Sequence, residues 1–206
     1  LRGNVIRNRH AEKPAGIYAF SPTLGQSNHN SKFFGTLIFT NEDRYRNDFT
    51  EDENAWRVSV RDGKMDPDAK ATLTFKDGVA NLDARMAKTS PVASISTNPN
   101  VTLKRGDLIE VRYRGPFANS YARLEVMCNL VDDKGKKHFG WLADNRKLDK
   151  DHWRVFTVDP FKIAKITSDE AKLSSLGLAL ASKPTGNAAI EFDRIRISPH
   201  NVASVK

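Results

Sequence analysis

Apolar and polar side chains alternate two by two through the middle of the chain. In residues 107–115, Ile109, Val111 and Tyr113 share one face while Glu110, Arg112 and Arg114 take the other. The next run sets Ala122, Leu124, Val126, Cys128 and Leu130 against Tyr121, Arg123, Glu125, Met127 and Asn129. Read as neighbouring antiparallel strands with one buried face, the two runs predict an outward surface rich in guanidinium groups, with Arg112 and Arg123 side by side and Tyr121 at the rim. From Trp56 onward short strands recur between turn signals at Arg61-Asp62-Gly63, Lys76-Asp77-Gly78, Arg105-Gly106-Asp107, Asp132 to Gly135 and Lys183 to Gly186. That spacing predicts an all-β sandwich or barrel. A single short helix is expected at Ser168 to Ser174, with Ser168 as its cap and Asp169 and Glu170 at its positive end. In the closing strand, strict alternation groups Arg194 and Arg196 with Phe192, and Ile195 and Ile197 with Asp193. Trp153 and Phe156 fall on opposite faces of their strand, so one is core and the other faces outward.

Residues 1–31 are polar and rich in Asn, Arg, His and Ser, with only Ile17 to Phe20 suited to a short extended piece, which predicts an N-terminal arm or linker. Lys32 to Thr40 is apolar enough for a strand. The sandwich is therefore expected over residues 32–200, with 201–206 as a tail. The chain opens on Leu1 rather than Met and shows no charged segment followed by an apolar one, so it reads as a processed or excised piece of a longer product. No run approaches the roughly eighteen apolar residues of a membrane-spanning helix.

Lys and Arg outnumber Asp and Glu by 33 to 25, giving a net charge of +8 that favours acidic partners, nucleic acid or anionic glycan alike. Acid is concentrated in residues 41–54. The single Cys128 lies in an apolar row, which makes it a small core hydrophobe and excludes an intramolecular disulfide. The five histidines are scattered without metal-ligand spacing, so no transition metal is expected.

The early Trp56, the strand ending in Lys76-Asp77-Gly78 with an alternating strand after it, and the Leu103-x-x-Gly106-Asp107 turn feeding Ile109 to Arg114 belong to one series. It continues with Trp153-x-x-Phe156 and closes on Ile190-Glu191-Phe192-Asp193-Arg194-Ile195. In order and spacing, over residues 45–198, the series resembles the carbohydrate-binding-module type of galactose-binding-like jelly roll. The resemblance implies an antiparallel jelly-roll β-sandwich, glycan binding on the concave sheet or at the loop edge, no catalysis of its own, and often a structural calcium near the first strand. Members of that family stack sugars on exposed Trp or Tyr. The arginines of this chain shift the expected ligand from a neutral glucan to an acidic glycan.

The residues supply a chemistry for that ligand. A sugar's C–H face packs on an aromatic ring, and a uronate or sulfate is gripped two-pronged by arginine. Arg112, Arg114, Tyr121, Arg123, Glu125 and Trp141 are the candidate ligand-binding residues, Glu125 orienting a guanidinium. The competing reading has the arginines in cross-strand ion pairs with Glu110 and Glu125 on an ordinary wet face, and Trp141 in the core, the commoner fate of such a residue. For calcium, Asp48, Glu51, Asp52 and Glu53 could supply oxygens, with Asp193 as the family pattern suggests; the competing reading is a solvated acidic linker.

Other functions leave weaker traces. Gly25-Gln26-Ser27-Asn28 and Asp149-Lys150-Asp151-His152 match short blocks of sialate-acetylesterase-like SGNH hydrolases, but the chain lacks the alternating strands and helices which those enzymes require. A polysaccharide-lyase jelly roll would cast Tyr121 or Tyr113 as proton carrier beside Arg112 and Arg123, although the strand motifs of alginate-lyase-like enzymes are absent. Lys134-x-Lys136-Lys137-His138 with Tyr113, Phe117 and Tyr121 partly fits a nucleic-acid surface, but the basic residues are dispersed among acids. A structural sandwich within a surface or viral particle is a further alternative. The expectation is a non-catalytic module that binds an acidic carbohydrate and targets or anchors a larger protein, outside the cell or at a cell or virion surface.

Overall fold

A computed structural model of the chain describes residues 43–50, 55–61, 66–86, 92–117, 122–181 and 187–199, with the backbone of two short pieces at 18–19 and 36–37. The chain divides into two compact units, residues 1–42 with 200–206, and Asp43–Pro199. In the first, β1 (Tyr18–Ala19) pairs antiparallel with β2 (Thr36–Leu37).

The second unit runs β3 (Tyr45–Asn47), β4 (Arg57–Val60), β5 (Lys70–Lys76), β6 (Val79–Arg85), β7 (Val92–Thr97), β8 (Val101–Lys104), β9 (Asp107–Phe117), β10 (Arg123–Asp132), β11 (Lys137–Ala143), β12 (Arg154–Val158), α1 (Pro160–Ile163), β13 (Glu170–Ala181) and β14 (Asn187–Pro199). Its strands form two antiparallel sheets. One has the order β11-β10-β13-β7-β4, with β8 also on β13; the other has the order β12-β9-β14-β6-β5, with β3 also on β14. Together they form a β-sandwich of jelly-roll type.

The apolar rows read from the alternation are the core. Ile109, Val111 and Tyr113 of β9, Leu124, Val126, Cys128 and Leu130 of β10, and Phe192, Ile195 and Ile197 of β14 are all buried. Each buried Leu or Ile contributes about 1.5–3 kcal/mol relative to exposure. Cys128 is a core residue, and burial pushes its thiol pKa up to about 12. Phe156 packs against the core, so Trp153 is the outward member of that pair. The β5–β6 turn places Asp77 and Gly78 both at positive φ, 51° and 73°, the hairpin geometry that Asp-Gly favours.

Three expectations are corrected here. Arg112 and Arg123 are not neighbours: β9 is paired on its two edges by β12 and β14, and β10 by β11 and β13, so these consecutive strands lie in opposite sheets. Residues 168–174 form no helix; from Glu170 the chain is strand, with Ala171 and Leu173 buried against exposed Glu170 and Lys172. The helix among the described residues is α1, where Asp159 accepts from Lys162 N and Pro160 occupies the first turn. Strict alternation also fails in β14. A register shift between Phe192 and Arg194 turns Asp193 and Arg194 outward together, keeping Phe192 on the same inner face as Ile195 and Ile197.

Candidate functional site

The strand register assembles a surface on the outward face of the first sheet that no single segment shows. Trp141 of β11 stands opposite Met127 of β10, Met127 opposite Gly177 of β13, Gly177 opposite Ser96 of β7, and Ser96 opposite Arg57 of β4. Paired residues project to the same side, so this is one lateral row across five strands, about 19 Å from end to end at the usual strand spacing. A parallel row holds Ala143, Glu125, Ala179, Ser94 and Ser59. The Ser59 and Ser94 hydroxyls lie 2.9 Å apart, which fixes that both point outward. Beside Met127 and Glu125 of β10, strands β13 and β7 thus present Gly, Ala and Ser, a floor of small residues between the edges in which Gly177 and Ala179 are themselves buried.

One edge is aromatic. Trp141 and Phe139 are 51% and 57% exposed, so the competing reading of Trp141 as a core residue does not hold: β11 is an edge strand, and its inward position is taken instead by Gly140. The opposite edge carries Arg57 and Arg61, both exposed and, among the described residues, making no side-chain hydrogen bond. Between them Arg123 donates from Nε and Nη2 to one oxygen of Glu125, at 3.1 and 2.8 Å, while Glu125 itself is nearly buried. Such a half-exposed pair adds little stability, but it fixes a guanidinium plane with donors left over. The face therefore offers rings for C–H stacking, hydroxyls for exchange of hydrogen bonds, and uncommitted cations.

Arg57, Arg61, Met127 as a floor residue, Phe139 and Gly177 escaped the sequence reading. The signal for the first two was present in Trp56-Arg57-Val58-Ser59-Val60-Arg61, whose alternation puts both arginines opposite the apolar residues.

Arg112 and Arg114 belong to the other sheet's outward face. Their guanidinium carbons lie 5.1 and 4.7 Å from the Trp153 ring centroid, and the groups pair with Asp193 and Glu191 respectively. Asp48 is near Asp193 and pairs with Arg46 at 2.7 Å. Burial pushes the Asp193 carboxyl up, against the pull of Arg112 and Arg194. Among the described residues no group of three or more His, Cys, Asp or Glu side chains comes together to hold a metal ion. Tyr121, Glu51, Asp52 and Glu53 lie outside the described residues.

Of the two tyrosines that a lyase could use as proton carrier, Tyr113 is closed off, while Tyr121 lies outside the described residues. Tyr113 is fully buried and donates to Asp144 Oδ2 at 2.6 Å, with its pKa driven far up first by burial and then by that bond. Asp144 in turn takes three hydrogen bonds from the Arg146 guanidinium and one from its backbone N. His152 meets Asp149 at 3.1 Å, and His138 meets Asp132 at 2.8 Å as part of the β10–β11 turn.

No protein-family model matches the chain, and no curated protein sequence does. Solved structures match its fold. The family 11 carbohydrate-binding module of Clostridium thermocellum, in complex with a β-1,3-1,4-mixed-linked tetrasaccharide, is 13% identical with a TM-score of 0.53, over 75% of this chain and 94% of that one. A structure described for the promiscuous specificity of carbohydrate-binding modules from the β-sandwich superfamily is 13% identical with a TM-score of 0.53, over 82% of this chain and 68% of that one. The chain thus has the jelly-roll sandwich fold of carbohydrate-binding modules.

Proposed function

We propose that the chain is a non-catalytic carbohydrate-binding module whose ligand is an acidic glycan lying across the strands of the β11-β10-β13-β7-β4 sheet. The observation that carries the reading is the row from Trp141 over Met127, Gly177 and Ser96 to Arg57: an exposed ring, a low floor and a free guanidinium in register. A sugar stacks its C–H face on Trp141, its hydroxyls meet Ser94 and Ser96, and a carboxylate or sulfate further along the chain reaches Arg57, Arg61 or Arg123. The fold supports the reading, since the family 11 module of Clostridium thermocellum holds a tetrasaccharide on the same architecture. The net charge of +8 favours an acidic ligand over a neutral one. In this role the module targets or anchors a larger secreted or surface protein.

A glycan array probed with wild type, Trp141→Ala and Arg57→Ala, at low and moderate salt, tests the proposal. Selective binding to uronate- or sulfate-bearing glycans, lost in Trp141→Ala and weakened in Arg57→Ala, supports it. Equal binding to every polyanion, abolished by moderate salt and indifferent to Trp141, leaves only a basic surface and overturns it.

A further inference from the structure

The arginines of β9 were not absorbed by that face, and they line an open pocket of about 480 Å³ on the opposite side of the sandwich. Its wall is Trp153 with the Arg112 and Arg114 guanidiniums against the ring, and its rim is the β5–β6 turn at Asp77 and Gly78. The pocket lies in the volume range of small-ligand sites. Three guanidiniums (Arg112, Arg114, Arg194) and three carboxylates (Asp48, Asp77, Asp193) line it, so its charges cancel and an anion has no net attraction to it.

What distinguishes the pocket is which groups are spoken for. Arg112 and Arg114 are held by Asp193 and Glu191, and Asp48 by Arg46. Among the described residues Arg194 and Asp77 make no side-chain hydrogen bond; Arg194 lends its charge to Asp193, and both Arg194 and Asp77 border the same space. The bulge in β14 is what brings Arg194 to this face, and the positive-φ turn is what holds Asp77 at the mouth. Asp193 lines the same space, and its Oδ1 is closed to solvent with no donor among the described residues. The pocket thus keeps one free donor and one free acceptor beside a buried acceptor that lacks a partner.

We propose that this pocket is a second carbohydrate subsite, taking a single neutral sugar residue through two neighbouring hydroxyls. One hydroxyl accepts from Arg194, and its neighbour donates to Asp77. A neutral diol satisfies both without adding charge to a balanced site, and burial of a polar group is tolerated only when it is paired in this way. Trp153 serves as a wall, its ring being occupied by the two guanidiniums. The choice of sugar as ligand class rests on the function proposed above, while the pocket's existence does not. With sites on opposite faces, one molecule can bridge two glycan chains, and linked binding raises apparent affinity on a multivalent surface.

The test is a titration of isotope-labelled protein with methyl β-D-xylopyranoside, methyl β-D-galactopyranoside and methyl α-D-mannopyranoside up to high millimolar concentration, followed by NMR at the Trp153 indole N–H and the Gly78 amide. Saturable shifts at both signals are expected for at least one glycoside, weakened at least tenfold in Arg194→Ala and retained in Trp141→Ala. Among the described residues the Arg194 side chain makes no hydrogen bond, so the Arg194→Ala variant is expected to keep its fold, which an unchanged melting curve verifies. Silence of both signals with all three glycosides overturns the proposal, as do shifts that survive in Arg194→Ala. A response to calcium chloride alone makes the pocket a cation site and overturns it equally. The Trp141 indole reports the first face separately, so failure of either reading is seen independently of the other.

Discussion

Two glycines on the strands that flank β10 in the first sheet give opposite forecasts for the same substitution. A Cβ built on Gly177 comes within 3.1 Å of Met127 Cε, the mobile end of a flexible side chain lying across the outward floor. The methionine can yield by a few tenths of an ångström, and replacing a strand glycine with alanine recovers about 0.5–1 kcal/mol of backbone entropy. Gly177→Ala should therefore change stability by less than about 1 kcal/mol, or about 2–4 °C in melting temperature for a unit of this size. A Cβ on Gly140 points inward and meets Ala164 N at 2.8 Å and Ile163 side-chain carbon at 2.8 Å. Backbone cannot rotate aside, so Gly140→Ala should cost about 2–3 kcal/mol by overpacking and lower the melting temperature by about 4–12 °C. Binding should follow the reverse order. Gly177→Ala lifts the Met127 thioether into the trough, and a methyl-sized intrusion into a ligand surface costs about 1–3 kcal/mol, the lower end suiting an open cleft, or about tenfold in Kd. Calorimetric titration with an oligouronate beside thermal melts of both variants decides it. An unaltered Kd in Gly177→Ala would remove the floor from the binding site, and a large loss of stability there would show that Met127 is not free to move.

Arg123→Ala should weaken binding of an oligouronate by about 1.5–3 kcal/mol, roughly tenfold or more. Arg123→Lys should fall nearly as far, because it keeps the charge and loses the planar fork seated on Glu125; full affinity in the lysine variant would reduce this residue to a point charge. For Asp144, burial pushes the carboxyl up, but the Arg146 and Tyr113 hydrogen bonds outweigh it and leave it below the usual range. A depressed folded-state pKa means stability that is present above the unfolded value near 3.9 and lost as pH falls through the folded one, so melts below about pH 4 should show a loss that Asp144→Asn blunts. Tyr113 is raised, so the opposite edge follows: stability is lost as pH rises above about 10, and Tyr113→Phe should remove that alkaline step. Chelation tests the calcium expectation for Asp48, Glu51, Asp52, Glu53 and Asp193. The guanidiniums already on Asp48 and Asp193 lead us to expect an unchanged melt in EDTA, and a fall would place a cation there.

The separation of the two arginine groups shows what alternation encodes and what it does not. Side-chain direction along a strand is a local property, so the inner and outer faces of β9 and β10 are legible residue by residue, and Tyr113 and Cys128 are buried as the pattern requires. Which strand lies beside which is set by contacts far apart in sequence. Nothing in residues 107–130 says that the chain crosses from one sheet to the other between β9 and β10, and so Arg112 and Arg123 could be read as neighbours. The β14 bulge is a middle case. Phe192-Asp193-Arg194-Ile195 sets two polar residues between two apolar ones, as Leu173-Ser174-Ser175-Leu176 does where β13 changes register against β10. Both segments break the two-residue period in the way a bulge demands, with the apolar pair returned to the core. Strict alternation placed Phe192 with Arg194; the doubled polar pair was the sign that it belonged with Ile195. That extra residue has a chemical consequence, since without it Asp193 and Arg194 could not project from one face, and the second pocket would lose either its buried acceptor or its free donor.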